Sequence, residues 1–150
     1  MRKKFIFSFE RLLSHRHKLE DLARRNWLEA QANVDAATQK LTQMFEDIDQ
    51  ARSRAANLTR VGGAHGPALA QVDEFINGQK IFIERQRGEI RALTAEAERL
   101  QEILVEAAKE KKILEKLRER KVEEFKLRRK KQELKEVDEL VVTRFRHSED

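Results

Sequence analysis

The chain has 150 residues, of which 39% are charged, and its formal net charge at pH 7 is +5. Compact globular domains carry about 25% charged residues, so this composition favours long helices or a coiled coil. The absence of cysteine excludes disulfide bonds and cysteine-ligated metal sites. No apolar run approaches the ~18 residues of a membrane-spanning helix, so we expect a cytoplasmic protein without direct membrane insertion.

The strongest break in the sequence is the segment 61–67, which holds three of the five glycines and the only proline. Gly62 or Gly63 can adopt the left-handed conformation that ends a helix. Pro67 suits the first turn of the next helix, because the N–H that it lacks would have no helical partner there. The predicted elements are a helix over about 8–60, a loop over about 61–67 and a helix over about 68–146.

Apolar and small residues recur along the first helix at the spacing of a coiled-coil seam, the line of residues that faces a second helix. From Trp27 onward the steps alternate between three and four residues. Leu19, Ala23 and Trp27 are instead four and four apart, so we expect the supercoil to unwind there. Ser8 is expected to cap the start of the helix. The predicted seam consists of Phe9, Leu12, Leu19, Ala23, Trp27, Ala30, Val34, Ala37, Leu41, Met44, Ile48, Ala51, Ala55 and Leu58.

The second helix repeats this pattern. Polar residues occupy three of its seam positions, Gln79, Gln86 and Lys111, and buried polar seam residues usually fix the register of a coiled coil. The pattern weakens after Leu117 and disappears over 126–133. It resumes at Leu134, Val137, Val141 and Phe145. The apolar and small seam positions before the break are Leu69, Val72, Ile76, Ile83, Ile90, Leu93, Ala97, Leu100, Leu104, Ala107 and Leu114.

Two such helices joined by a short glycine-rich loop are expected to lie antiparallel. At about 1.5 Å per residue they are roughly 80 Å and roughly 115 Å long, so the last ~25 residues of the second helix extend past the first or meet only Phe5, Phe7 and Phe9. The sequence therefore predicts an all-α fold, a long antiparallel two-helix coiled coil with unequal helices. We expect one domain over 1–150 and a monomer in isolation.

Positive charge is concentrated in the second helix. Residues 109–135 contain 13 Lys and Arg and 6 Glu, a net charge of +7, so the rest of the chain sums to −2. One interpretation is a solvated helix face, and the other is a surface for an acidic partner. Nucleic acid is a poor candidate, because basic regions that read DNA usually precede a parallel zipper and this stretch has no aromatic pair for stacking. A membrane surface is equally disfavoured, since no aromatic stripe lines one face of 109–135.

The residue patterns of catalytic, metal and cofactor sites are missing. No Gly-Lys-Ser/Thr follows the glycines of the loop, so they do not form a phosphate-binding loop. His15 and His17 are two residues apart and point to different helix faces, which prevents them from chelating a metal together. Two paired helices also offer no concave pocket that would shift the pKa of a carboxylate. We therefore expect no enzymatic activity, no cofactor and no metal.

Two phenylalanines, Phe75 and Phe82, are seven residues apart and share a face beside the seam residues Ile76 and Ile83. Between them lies the dipeptide 77–78, Asn-Gly, and both residues are poor helix formers. One interpretation is that the phenylalanines widen the hydrophobic stripe near the loop. The other is that they form an exposed aromatic patch for a partner, on a helix softened by the dipeptide.

Over nearly its whole length the chain resembles the FliJ family of flagellar type III export proteins. The resemblance is carried by the opening FIFSFERLL of residues 5–13 and by the Leu-Glu-Asp of residues 19–21. Its most specific part is EAAKEKKILEKL of residues 106–117, followed by RERK at 118–121 and EVDEL at 136–140.

The resemblance implies an asymmetric two-helix coiled coil similar to the central stalk of rotary ATPases. Members of the family bind and activate the hexameric export ATPase, and they contact the export-gate membrane protein and substrate chaperones. It also implies a location at the inner face of the cell membrane, reached through the export apparatus. By this resemblance Phe75, Gln79 and Phe82 contact the linker of the export gate, although Gln79 is polar where the family usually has an apolar residue. Basic residues implied to meet the inner surface of the ATPase ring are Lys109, Lys112, Lys116, Arg120, Lys126, Arg129 and Lys130.

Two other functions are compatible with the same architecture. The first is the equivalent stalk of a virulence-type (injectisome) secretion system, and the second is a generic coiled-coil scaffold. The Lys- and Glu-rich block at 106–117 favours the flagellar system over the injectisome. Co-purification of one export ATPase would separate these two, and concentration-dependent sedimentation would indicate a scaffold.

Overall fold

The computed structural model describes residues 3–63 and 65–149. Within them the regular structure consists of two helices, α1 (Glu10–Val61) and α2 (Gly66–Ser148), and contains no strand. The two helices pack against each other and run antiparallel, which confirms the predicted all-α coiled coil with unequal helices. Residues 1, 2 and 150 of the predicted single domain, and Ala64 of the predicted loop, lie outside the described residues. The single domain over 1–150 stays a prediction.

The chain divides into two compact units. We call Met1–Asp21 together with Glu106–Asp150 the terminal unit, and Leu22–Val105 the loop unit. The loop unit contains the turn between the helices, and the terminal unit contains both ends of the chain.

Helix α1 begins two residues later than the sequence suggested. The carbonyl of Phe9 accepts the backbone N–H of Leu13 at 2.9 Å, so Phe9, and not Ser8, occupies the capping position. The N–H of Glu10 donates to the carbonyl of Phe7 at 3.2 Å and closes a turn around Ser8. Phe7 is buried, and its ring centroid lies 5.8 Å from that of Phe9. Burial of this aromatic side chain therefore holds the chain out of the helix until Glu10.

The turn between the helices has the predicted conformation. Gly62 and Gly63 have φ values of 76° and 107°, a region that strains residues with a Cβ, and they end α1. A ring nitrogen of His65, Nε2, lies 2.8 Å from the carbonyl oxygen of Gly62 and ties the turn together. The carbonyl of His65 accepts the N–H of Leu69 at 3.0 Å, so α2 begins with Gly66 and places Pro67 in its first turn.

Alanines dominate the α1 side of the loop unit's seam. Ala23, Ala30 and Ala37 are buried at intervals of seven residues, and such small side chains allow helix axes to approach closely. From α2, the seam residue Gln86 is buried, and its side-chain amide donates to the backbone carbonyl of Ala37 at 2.9 Å. This confirms Gln86 as a polar seam residue and identifies its partner.

The seam of α1 in the terminal unit differs from the prediction. Leu13 and Glu20 are buried and Arg16 is half-buried, so the steps of three and four residues continue without interruption to Ala23. The predicted unwinding was therefore wrong. A search for apolar residues could not find this stretch, because charged side chains occupy two of its seam positions. Three apolar residues that the sequence analysis placed in the seam are exposed: Phe9, Leu12 and Leu19.

Candidate interaction surfaces

The first residues of the chain pack against α2 within the terminal unit. The ring centroids of Phe5 and Phe125 are 5.7 Å apart, and the guanidinium carbon of Arg118 lies 5.6 Å from the centroid of Phe5. Nε of Arg118 also donates to the carboxylate of Glu10 at 3.1 Å. The aromatic N-terminal segment therefore meets α2 near residues 118–125, just before the last ~25 residues, where the helix lengths predicted this contact.

About two turns of α2 closer to the loop, charged side chains of the two helices form ion pairs in the seam. The carboxylate of Glu20 pairs with the ammonium of Lys111, and Arg16 pairs with Glu110. Lys111 Nζ also lies 3.9 Å from an Oε1 of Glu115. The side chain of Lys111 is 21% exposed and that of Glu20 is 5% exposed. Lys111 is thus a polar seam residue as predicted, whereas Glu20 gave no signal in the sequence.

Helix α2 continues beyond this paired region, where Lys3 of the N-terminal segment lines a shallow groove with Gln132 and Glu136. All residues from 130 to 148, which we call the tail, are exposed in the described structure. The apolar pattern that the sequence analysis found again after residue 133 lies on this helix, but α1 does not cover it. Its side chains are between 54% and 66% exposed: Leu134, Val137, Val141 and Phe145.

The basic residues assigned to an ATPase contact do not all share one face. Lys109, Lys112, Lys116 and Arg120 are exposed and follow one another at three and four residues, so they form a continuous face turned away from α1. Arg129 is half-buried and pairs with Glu133 of its own helix at 3.6 Å. It lies about half a turn from Arg120 at about 100° per residue. Lys126 and Lys130 are exposed.

Two apolar residues on the outward face of α2 were missed. Ile113 and Leu127 are 66% and 61% exposed, more than most apolar residues of the predicted seam. Together with Arg120 they are spaced by seven residues, and Leu134 and Val141 continue the same series. The signal that could have identified them is this second heptad series, which a search for one seam per helix overlooks.

The aromatic patch of the loop unit is exposed. Phe75 and Phe82 retain 45% and 51% of their accessible surface, and Ile81 beside them is also exposed. Gln79, one of the predicted polar seam residues, is half-buried. The guanidinium carbon of Arg85 lies 5.8 Å from the ring centroid of Phe82. The helix continues without interruption through residues 77–78, so the patch is presented on regular helix.

Residues 3–63 and 65–149 contain no group of three or more His, Cys, Asp or Glu side chains placed to hold a metal ion. Neither helix, over its described residues, has a stretch that is long and apolar enough to cross a bilayer. The candidate surfaces of this chain are therefore the basic face and the tail of the terminal unit and the aromatic patch of the loop unit.

Comparison with known proteins gives one clear relationship. No curated protein and no solved structure matches the chain. The sequence model of the family described as "Flagellar FliJ protein" matches residues 5–150, which is nearly the entire chain. The chain therefore belongs to the flagellar FliJ family, whose members are non-catalytic components of the flagellar export apparatus.

Proposed function

We propose that this protein binds and activates the hexameric export ATPase in the manner of a central stalk, using its terminal unit, and that it contacts the export gate and substrate chaperones. In this proposal it works in the cytoplasm, at the inner face of the cell membrane, and is held there by the export apparatus. The observation that carries the proposal is the exposed tail of α2, which extends beyond the paired part of the terminal unit.

The shape of the paired end favours insertion into a ring. One helix, and not two, occupies the tail, so this end of the unit is narrower than the paired part behind it. The outward face before the tail carries four exposed cations within about three turns, Lys109, Lys112, Lys116 and Arg120. A continuous cationic face attracts an acidic surface and speeds the encounter with it. A ring lumen lined by carboxylates would thus receive the tail first and the basic face next.

The activation of hydrolysis tests this part of the proposal. The export ATPase is titrated with the full chain and with Lys112→Glu/Lys116→Glu/Arg120→Glu, which reverses the basic face. We expect the concentration for half-maximal stimulation to rise about tenfold, which corresponds to about 1.4 kcal/mol of lost binding free energy.

The matched control is Lys40→Glu/Arg52→Glu/Arg91→Glu, which makes the same change in net charge at exposed positions of the loop unit. We expect this control to stimulate like the wild type. Equal stimulation by both triple variants, or none by the wild-type chain, would sink the stalk proposal.

A chain that lacks residues 131–150 separates the tail from the paired end. This deletion removes only exposed residues among those described and leaves Phe125 in place beneath Phe5. If the tail enters the ring, the shortened chain binds the ATPase but stimulates it less.

The aromatic patch is our candidate for the export-gate contact. Two large aromatic side chains, both half-exposed on regular helix, are typical of the anchors that carry binding energy at protein interfaces. Gln79 between them adds an amide that can hydrogen-bond to a partner's backbone. We therefore assign Phe75, Gln79 and Phe82 together to this contact.

Binding to the soluble linker of the export gate tests this contact. We expect Phe75→Ala/Phe82→Ala to weaken binding at least tenfold, because truncation of interface anchors commonly costs about 2 kcal/mol or more. Phe45→Ala is the control, because Phe45 is also an exposed phenylalanine of the loop unit. Loss of binding in the control alone would place the contact elsewhere.

A further inference from the structure

Apolar residues on the outward side of α2 form a stripe that the pairing with α1 leaves uncovered, and the proposed function assigns no contact to these particular side chains. We call it the outer stripe, and it consists of Leu127, Leu134, Val137, Val141 and Phe145. At about 100° per residue Leu127 lies about 160° around α2 from Lys111, the residue that pairs with α1. All five side chains are between 54% and 66% exposed.

The spacing of the outer stripe identifies the form of its partner. Steps of seven, three and four residues over three helical heptads are the pattern of a seam that receives another helix. Exposed apolar surface of this extent on a soluble protein commonly marks an interaction site. The face therefore fits an α-helix with a matching apolar stripe.

The charges that flank the outer stripe identify which helix fits. The half before Gln132, residues 126–131, contains five basic and no acidic residues. The half after it, residues 133–139, contains four acidic residues and one basic residue. A second copy laid antiparallel, centred near Leu134, places the basic half of each copy beside the acidic half of the other. A parallel copy would instead align basic with basic and acidic with acidic, which is unfavourable.

We propose that two copies of this protein associate through the outer stripe, with their α2 tails antiparallel. The apolar residues of one tail pack on those of the other, and the self-complementary charges select the antiparallel direction. The pairing covers Lys126 and Lys130, so a copy paired in this way presents neither residue to the ATPase.

The dimer departs from the monomer that the sequence analysis expected for the isolated chain, and it does not rest on the proposed function. A chain that fails to stimulate the ATPase can still pair through its tail, and a chain that stimulates normally can still be monomeric when alone. The oligomeric state of the isolated chain therefore tests the dimer separately. If both proposals hold, the ATPase and the second copy compete for the tail.

The first experiment measures molar mass by sedimentation equilibrium, at chain concentrations from about 1 µM to about 1 mM, a range that spans weak and moderate dimer affinities. We expect the mass to rise from 17.7 kDa toward twice that value. Leu134→Glu/Val141→Glu should keep the mass at one chain over the whole range. Circular dichroism checks that this variant keeps its helix content.

Ile113→Glu is the matched control, because Ile113 is equally exposed on the same face but lies outside the outer stripe. We expect it to dimerise like the wild type. A wild-type mass that stays at one chain overturns the proposal and leaves the stripe to a helix of another protein. A dimer that survives Leu134→Glu/Val141→Glu overturns it as well.

The second experiment tests the direction by exchanging charges. Lys130→Glu/Lys131→Glu and Glu136→Lys/Asp138→Lys should each weaken the dimer at least tenfold, because each places like charges across the interface. An equimolar mixture of the two variants should restore dimerisation, since each altered half then faces an opposite charge. Failure of the mixture to dimerise overturns the antiparallel arrangement.

The natural absence of cysteine allows a direct check of the same geometry. Mixed Leu127→Cys and Val141→Cys chains should form a disulfide between the two different chains on oxidation. Leu127→Cys alone should not crosslink to itself. A predominant disulfide between two Leu127→Cys chains would indicate parallel tails and overturn the proposal.

Discussion

The charged pair inside the terminal unit's seam should respond very differently to the loss of one partner and to the loss of both. Lys111→Ala removes the ammonium group but leaves the Glu20 carboxylate, whose side chain is 5% exposed, between the two helices. A buried carboxylate that loses its ammonium partner is poorly solvated, and its remaining contacts compensate only part of the loss. In Glu20→Leu/Lys111→Leu, apolar side chains fill the same space and no charge remains buried.

The size of the effect follows from the burial of the two groups. Breaking a fully buried ion pair by removing one partner costs about 3–5 kcal/mol. Lys111 is one-fifth exposed, and Arg16 lies one turn before Glu20 on α1, so water and a second cation compensate part of the loss. We therefore expect Lys111→Ala to lower the free energy of unfolding by about 2–3 kcal/mol. The double leucine variant should equal or exceed the stability of the wild type, because well-packed apolar residues commonly replace a buried ion pair without loss.

Urea unfolding followed by circular dichroism at 222 nm measures these differences. With a slope of about 2 kcal/mol per molar urea, the midpoint of Lys111→Ala should fall by about 1–1.5 M. Amide hydrogen exchange adds local information, and protection should decrease first around residues 106–117. Lys112→Ala is the control, since Lys112 is exposed and its removal should change stability by less than about 0.5 kcal/mol. Equal stability of Lys111→Ala and this control would contradict the expected cost of the unpaired carboxylate, and so would a double leucine variant that loses as much stability as Lys111→Ala.

Two further pairs of variants test the loop unit by the same unfolding assay. Gln86→Ala should lower the free energy of unfolding by about 1–3 kcal/mol, because it removes the hydrogen bond to the Ala37 carbonyl and leaves a cavity, whereas exposed Gln101→Ala should be nearly neutral. Gly62→Ala should be destabilising by about 1 kcal/mol, because its φ of 76° strains a residue with a Cβ. Gly78→Ala should be stabilising by about 0.5–1 kcal/mol, since a Cβ there meets no atom within 4 Å and alanine favours the helix. Equal signs for the two glycine substitutions would contradict this interpretation of the backbone.

Much of the fold could be predicted because coiled coils display their packing in the sequence. The heptad steps of α1 after Trp27 are read directly from the apolar residues, and the glycines of the loop require little interpretation. The start of α1 was predicted less well. Ser8 has the chemistry of a cap, but the burial of Phe7 moved the first helical residue to Glu10. A tertiary contact thus outweighed a local preference.

The charged part of the seam could not be predicted, because a search for apolar residues skips the side chains that carry it. Glu20 and Arg16 have the same sequence signature as any exposed charge on a helix. Their burial follows only from the residues across the seam, Lys111 and Glu110. Local sequence contains no information about such a partner, which comes from the other helix some ninety residues away.

The candidate surfaces could be predicted only in part, because residue spacing does not show whether a partner covers a face. The spacing of Phe75 and Phe82 identified a shared face, but an exposed patch and a widened seam have the same spacing. Only the exposures of 45% and 51% favour the patch. In the tail, Leu134 and Val141 were recognised as seam residues although α1 does not reach them. Heptad spacing of apolar residues shows that a helix can pair with another helix, but only the structure shows which helix, if any, covers them.

The length of the unpaired tail is set by the way the chain begins. Glu10 lies opposite Arg118 and Phe5 lies opposite Phe125, so five residues of the N-terminal segment accompany seven residues of α2. Seven helical residues span about 10.5 Å, and five extended residues reach up to about 17 Å, whereas five helical ones would cover only about 7.5 Å. The non-helical segment before Glu10 therefore covers more of α2 than a longer α1 would with the same residues. Its aromatic contacts end near Phe125, and Lys3 before them shares a shallow groove with Gln132 and Glu136. This groove is on a different face of α2 from the outer stripe, at about 100° per residue, so the outer stripe remains available to a partner.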